Sequence, residues 1–255
     1  LRTRLIVGVD LDYSPSKRKE TKINLTSTLI GPNSLYTQYT GYTLGSRIYD
    51  YESTYTSAAP YAHLEMSPSE KLRVTMGLRY DYALYEMKNQ MTPGFVTASG
   101  RQYYTPADAS VDFSRLSPKL GATYQLSEQS HLYTSYNQGF RTPSESQLFR
   151  GGRSDAGALA TQQAQARALS NAALNLNAIK AEQYELGFRG FAAGWNYDVV
   201  GYLLKKKDDL LSQKDSTGFA VQTNNGETEH KGIELGLGKT LLPTLRLDLA
   251  GSYAK

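Results

Sequence analysis

The side chains able to do chemistry are few and scattered. Histidine occurs only at His63, His131 and His230, and no two sit at a spacing that holds a metal. Cysteine is absent, which removes disulfides, thiol nucleophiles and Cys–metal sites. The sequence contains no Gly-x-Ser-x-Gly elbow and no phosphate-cradling glycine loop, and its carboxylates form no acid–base constellation. These absences argue against an enzyme, a cofactor and a metal centre. What remains is recognition chemistry. Tyrosine numbers 20 against 7 Phe and 1 Trp, and six tyrosines fall between Tyr36 and Tyr55. Tyr36, Tyr39, Tyr42 and Tyr49 are candidate ligand contacts, because a phenol offers a large apolar ring with a hydroxyl suited to oxygen-rich ligands. Arg101 with Tyr103 and Tyr104 is a second candidate group. Arg141, Arg150 and Arg153 are a third, since guanidinium groups match anionic ligands bearing carboxylate or catecholate oxygens.

These residues lie in polar stretches between segments of another kind. In Lys71–Glu86, Leu72, Val74, Met76, Leu78, Tyr80, Tyr82 and Leu84 alternate with Arg73, Thr75, Gly77, Arg79, Asp81, Ala83 and Tyr85. Period-two alternation marks a strand with one apolar and one polar face. The run exceeds the usual five or six residues and is long enough to span a bilayer, for which about nine to eleven tilted residues suffice. Similar strands are predicted at Arg4–Tyr13, Ser57–Met66, Phe113–Leu126, His131–Phe140, Ala181–Phe191, Trp195–Lys205, Gly226–Lys239 and Thr244–Lys255, about nine in all. Pro118 interrupts one of them, and proline belongs at edges or bulges because it gives no ladder donor.

The connections alternate long and short. Ser14–Thr56, Met87–Asp112, Arg141–Lys180 and Lys206–Asn225 are long; Ser67–Glu70, Ser127–Ser130, Ala192–Gly194 and Thr240–Pro243 are tight. Ser154–Asn175, rich in Ala, Gln and Leu, is expected to hold a helix or two starting near Ser154 or Asp155. Lys206–Asn225 reads as an extended hairpin beyond the rim, with Lys205-Lys206-Lys207 as its solvated base near the outer headgroups. The expected fold is all-β: an antiparallel up-and-down transmembrane β-barrel segment with long loops at one end and tight turns at the other. In that fold Arg73, Arg79 and Asp81 point to the lumen, and His63 is one of its polar lining residues. A mean hydropathy of −0.49 and the lack of a long apolar run fit a barrel, in which half of each strand faces water or lumen. The net charge of +4 does not point to nucleic acid. Alternation alone also fits a soluble β-rich binding module with the apolar stripe inside.

Tyr133–Phe149 carries Tyr136, Gly139, Phe140, Arg141 and Pro143. This resembles the aromatic-x-x-Gly-Phe-Arg-x-Pro signature of the TonB-dependent receptors of Gram-negative outer membranes. Lys180–Gly187, with Tyr184, Glu185 and Gly187, is similar to the family's Pro-Glu-x-x-x-Tyr-Glu-x-Gly strand, with Ala181 where proline is usual. Asn224–Leu235, with Gly232 and Glu234, is similar to its Lys-Gly-Ile/Val-Glu element, and Arg115–Lys119 opens a strand as the family does. The resemblance runs from Ser57 to the end. It implies a receptor in the cell outer membrane, bathed in lipid and lipopolysaccharide. Its cargo would be a scarce, bulky nutrient, most often a ferric siderophore. Energy would come from the TonB complex, engaged through an N-terminal part. It also implies that residues 1–255 are one partial barrel domain, without the signal, plug and remaining strands of a barrel of about 22. The rival within the same class is a passive porin-like channel, which has no plug and no need of these motifs.

Overall fold

The computed structural model of the protein describes residues 2–154, 157–214 and 220–255, with the side chains of 212–222 and 225 left aside. In chain order the elements are β1 (Arg2–Ile30), β2 (Tyr36–Ser69), β3 (Leu72–Asn89), β4 (Gly94–Ala98), β5 (Arg101–Thr105), β6 (Ala109–Ser127), β7 (Ser130–Arg141), α1 (Glu145–Phe149), β8 (Arg153–Ser154), α2 (Leu159–Leu174), β9 (Ile179–Ala192), β10 (Trp195–Lys214), β11 (Ala220–Leu242) and β12 (Leu245–Ala254). Nine of the strands form one antiparallel sheet in the order β1-β2-β3-β6-β7-β9-β10-β11-β12, so each barrel strand pairs with its neighbour in the chain. The nine-strand, up-and-down expectation is met. Neither helix is long and apolar enough to cross a membrane.

Register carries the two faces across the sheet. Leu5, Leu64, Met76, Leu120, Tyr136, Tyr184 and Leu203 stand opposite one another, strand to strand, in one unbroken apolar row. The adjacent row is Arg4, Glu65, Thr75, Gly121, Ser135, Glu185, Tyr202 and Gly232. The apolar face is left bare: Leu5 is 64% exposed, Leu78 48%, Leu120 50% and Leu186 59%. Among the described residues no side chain from elsewhere covers it, as a dry core would require. On β3 the apolar positions run from Leu72 to Leu84, a rise of roughly 40 Å. A tilt of about 40° reduces this to roughly 30 Å, close to the hydrocarbon thickness of a bilayer.

Two glycines, Gly187 of the β9 motif and Gly8 of β1, are explained by packing on the polar face. A Cβ on Gly187 would lie 2.2 Å from the Tyr133 ring, and one on Gly8 would lie 2.5 Å from the Tyr61 hydroxyl. The rings lie flat across these glycines, so the bare backbone is where each ring rests. Pro118 sits opposite Leu78 on β3, but on its other side the β6–β7 ladder stops at Lys119↔Asn137, one residue short of it. The missing N–H fits that stop.

All four tight connections have two residues between the flanking strands: 70–71, 128–129, 193–194 and 243–244. The large connections all lie at the other end, and here several expectations are corrected. Ser14–Thr56 is no loop. β1 and β2 stay paired up to Ile30↔Tyr36, with three register shifts, and turn through Gly31 at φ 85°. Beyond the lipid band both faces of this ribbon meet water, so no apolar alternation marks it. Met87–Asp112 contains the β4–β5 hairpin, which joins β8 in a second, three-stranded sheet. The predicted helix is α2, capped at Ala158 without a side-chain hydrogen bond; Ser154 belongs to β8 instead, and Asp155 lies outside the described residues. The short α1 was not foreseen, although Ser144 and Gln147 form a capping box that its sequence spells out. The hairpin expected over Lys206–Asn225 is formed by β10 and β11, with 215–219 outside the described residues.

Candidate functional site: the loop cap and the polar wall

The large connections fold into a cap with its own core. Ile48, Tyr49, Tyr51, Met87, Ala98, Tyr103, Phe113, Leu148, Phe149 and Leu176 form one buried cluster. β2, β3 and β6 supply its floor through Tyr51, Met87 and Phe113, which lie past the apolar band on the polar side of the sheet. The strand-exit motif delivers the roof. Phe140 packs against the cluster, Pro143 is fully buried, Ser144 caps α1, and α1 inserts Leu148 and Phe149 at 0% and 1% exposure. Polar ties hold this roof down. Tyr51 Oη donates to Glu145 Oε1 at 2.6 Å, Ser16 reaches Glu145 Oε2 at 3.3 Å, and Tyr85 pairs with the Thr142 hydroxyl at 3.2 Å. Arg150 makes a short ion pair with Glu20 and lies 5.7 Å from the centre of the Tyr49 ring.

The predicted contact residues therefore separate by environment. Tyr49 and Tyr103 are core residues, 3% and 9% exposed and edge-to-face at 6.2 Å, rather than surface contacts. Arg150 is brought to them but is already engaged. Tyr104 is half-buried against Phe95, with the Arg167 guanidinium 5.4 Å above its ring. Arg101, Arg141 and Arg153 are exposed; Tyr103 and Arg153 face each other across β5 and β8. Tyr36, Tyr39 and Tyr42 are 65%, 65% and 67% exposed on the projecting β1–β2 ribbon and do not join the cap. Nothing in residue type separates a core tyrosine from an exposed one, so the sequence could not sort them.

Burial raises the ionisation of Tyr49 and Tyr51 well above the phenol value of 10. Glu145 reinforces the shift at Tyr51; at Tyr49, Arg150 opposes it and Glu20 adds to it. A phenol whose folded pKa is raised contributes stability fully below pH 10 and loses it as pH rises past that point. The cap is expected to open above pH 10, with a cooperative rise in tyrosinate absorbance as its core is exposed. Reversible titration of all tyrosines near 10 with the cap intact would contradict this burial.

The motif residues of β9 and β11 belong to the polar wall. Glu185 accepts from Ser135 at 3.0 Å and from Gln183 at 2.6 Å. Gly232 stands opposite Tyr202, and Glu234 is exposed on the same face opposite Val200. Tyr184 instead turns to the apolar face and pairs with Tyr136 at 4.8 Å. On the wall nearer β1 is a recess of about 530 Å³, lined among others by Asp10, His63, Arg79, Ser117, Lys119 and Gly139. Arg79 binds Asp81 at 2.7 Å and also pairs with Asp10, while Arg73 and His63 both contact Glu65, at 2.9 and 3.3 Å. Arg73, Arg79, Asp81 and His63 thus all lie on the face predicted for them. No group of three or more His, Asp or Glu suited to a metal ion occurs among the described residues.

Comparison with known proteins places this architecture. A family model described as TonB dependent receptor-like, beta-barrel, matches residues 4–255. The rhizobactin receptor of Rhizobium meliloti (strain 1021) is 24% identical over 184 residues, covering 70% of this chain and 24% of that protein. Among solved structures, the copper transporter OprC superposes with a TM-score of 0.65 at 16% identity, over 99% of this chain and 36% of its own. The siderophore receptor PiuA from Acinetobacter baumannii superposes at 0.61 and 18% identity, over 99% and 35%. The chain spans about a quarter to a third of the length of these relatives.

Proposed function

Because this chain belongs to the TonB-dependent receptor-like β-barrel family, whose members lie in the outer membrane of Gram-negative bacteria, we propose that it is part of a receptor for energised uptake of a ferric siderophore. The observation that carries this reading is the family match over 4–255 on a sheet with one bare apolar face, one charged face and the motif strand feeding the cap. The rhizobactin and PiuA receptors favour iron cargo, whereas OprC is a copper transporter, so the metal is settled by assay and not by fold. Residues 1–255 act as one domain of a larger barrel. β1 and β12 each lack a partner on their outer side in the described sheet, and open edges are not viable in lipid. Further strands and a lumen-filling plug complete it, and an N-terminal part engages the TonB complex. Lipid covers the apolar face, and lipopolysaccharide surrounds the rim. Ligand meets the exposed Arg101, Arg141 and Arg153 of the cap, is bound there, and passes inward when the plug is displaced.

The test is uptake of radiolabelled ferric siderophore by cells with and without the gene, with and without a proton uncoupler. Gene-dependent uptake that the uncoupler abolishes is expected. Uptake indifferent to the uncoupler identifies a passive channel, and recovery of the chain as a monomer in detergent-free buffer identifies a soluble module.

A further inference from the structure

We infer that the outward face of β9–β12 binds one molecule of lipopolysaccharide, with a lipid A phosphate on Lys205, Lys207 and Lys231 and an acyl chain in the groove beside them. The site rests on the receptor reading for the orientation of the barrel, loops outward, and not for its cargo.

Register places these lysines. Leu186, Gly201, Ile233 and Tyr253 stand opposite one another on β9 to β12 in one lipid-facing row. The next row toward the large connections is Tyr136, Tyr184, Leu203 and Lys231. Glu182, Lys205 and Glu229 follow on the same face, and then Lys180 and Lys207. Tyr136 and Tyr184, paired at 4.8 Å, and Tyr253, 74% exposed, mark the outer edge of the apolar band, where aromatic side chains meet the membrane–water interface. The lysines lie just beyond, at the level of the outer headgroups. This is the outside of the barrel, where no plug reaches, and the strands on both sides of β10 and β11 are in place.

Positive charge is in surplus there. Glu229 is shared by two cations, Lys231 at 3.0 Å and Lys205 at 3.8 Å. Lys207 is exposed and makes no ion pair among the described residues. The remaining acids are engaged: Asp208 with Lys180 at 2.9 Å, Asp209 with the Leu210 backbone at 3.0 Å, and Glu182 with Gln138 at 3.4 Å. Where the apolar alternation ends on β1, β2, β3 and β6, the same face is balanced. Lys17, Lys19 and Lys88 share it with Asp50, Glu52, Glu86 and Asp112, and Lys17 and Lys19 are matched at 2.7 and 3.7 Å. A phosphate on the lipid side is therefore favoured at β9–β12 and not at β1–β6.

An apolar groove leads to the lysines. It has a volume of about 980 Å³ and is lined among others by Val74, Leu120, Leu186, Gly201 and Ile233, with Lys231 at its outer end. It crosses the strands from β3 to β11, five strand spacings or roughly 24 Å, and strand tilt carries it from deep in the band to the rim. Gly201 keeps its outer part open, since a Cβ there would meet only two carbonyl oxygens, at 3.9 and 4.0 Å. Leu186 and Ile233, 59% and 57% exposed, stand on either side of Gly201. Cations at the headgroup end of an apolar trough match a molecule whose phosphate adjoins acyl chains. In the outer leaflet that molecule is lipid A.

The experiment is native mass spectrometry of the intact receptor, purified in detergent and freed of endogenous lipid. It is titrated with bisphosphorylated lipid A, with the same lipid A stripped of phosphate, and with phosphatidylglycerol. Saturation at one lipid A per receptor is expected, and loss of phosphate should weaken binding about tenfold or more. Lys207→Met combined with Lys231→Met should weaken lipid A about tenfold or more and leave the dephosphorylated lipid unchanged. Gly201→Leu should weaken both several-fold by filling the groove. Lys17→Met, on the balanced sector of the same face, should bind as wild type. Retained β-sheet circular dichroism shows that each variant is folded. Equal binding of lipid A by wild type and the double lysine variant overturns the proposal. So does indifference to the phosphates, non-saturating uptake of many lipids, or phosphatidylglycerol binding as tightly as lipid A. If lipid A binding fails while energised siderophore uptake persists, the site is refuted and the receptor reading survives; lipid A binding without energised uptake refutes only the receptor.

Discussion

Phe149→Ala is expected to destabilise the cap by about 3–5 kcal/mol, the usual range for truncating a buried aromatic side chain. Phe149 is 1% exposed and meets Tyr51 edge-to-face at 6.1 Å, so truncation removes an aromatic contact and leaves a cavity under α1. Leu148, at 0%, sits beside it and cannot refill the space without leaving its own place. The loss should be local. The wall strands are held by their own ladders, whereas α1 has five residues and depends on these two side chains for docking. Hydrogen exchange should show accelerated opening across 144–176 with the β3, β6 and β9 amides still protected. Equal loss of protection in cap and wall would mean that the two fold as one unit, contrary to this account.

Leu78→Arg should cost roughly 2–4 kcal/mol and lower assembly into the outer membrane, because it places a cation on the lipid face near mid-bilayer. Leu78 is 48% exposed, stands between Ala62 and Pro118 on neighbouring strands, and is midway between Leu72 and Leu84. Leu72→Arg, at the rim of the band, should cost only about 0–1 kcal/mol. Thr75→Arg, on the polar face opposite Glu65, should be tolerated. The gradient from Leu78 to Leu72 is the diagnostic, since a bilayer penalises charge by depth. Equal penalties at both positions, measured by unfolding in lipid vesicles, would remove the lipid from this face.

Much of the wall was legible in the chain. Lys71–Glu86 announces β3 because lipid on one side and water on the other impose opposite demands on alternate residues. That signal disappears where the medium becomes the same on both sides. Lys17, Arg18, Lys19 and Glu20 continue β1 without alternation, held instead by backbone pairing and by ties such as Lys17–Glu52 at 2.7 Å. A strand of this kind is indistinguishable in sequence from a hydrated loop. The cap was legible only in fragments: Ser144–Gln147 spells a helix start, but nothing local says that Leu148 and Phe149 will be swallowed by Tyr49, Tyr51 and Phe113 from two distant strands.

By itself the sequence determined the number and direction of the wall strands, which residues share a face within each alternating stretch and which end bears the tight turns. All of these follow from period-two alternation and turn length, which are local. Tertiary structure alone decided which tyrosines are core and which arginines are spent. It also decided that Ser117, Lys119 and Gly139, drawn from two strands, face one recess. Those outcomes depend on register between segments and on how far each ladder extends, and register is a property of pairs of strands rather than of any single stretch of chain.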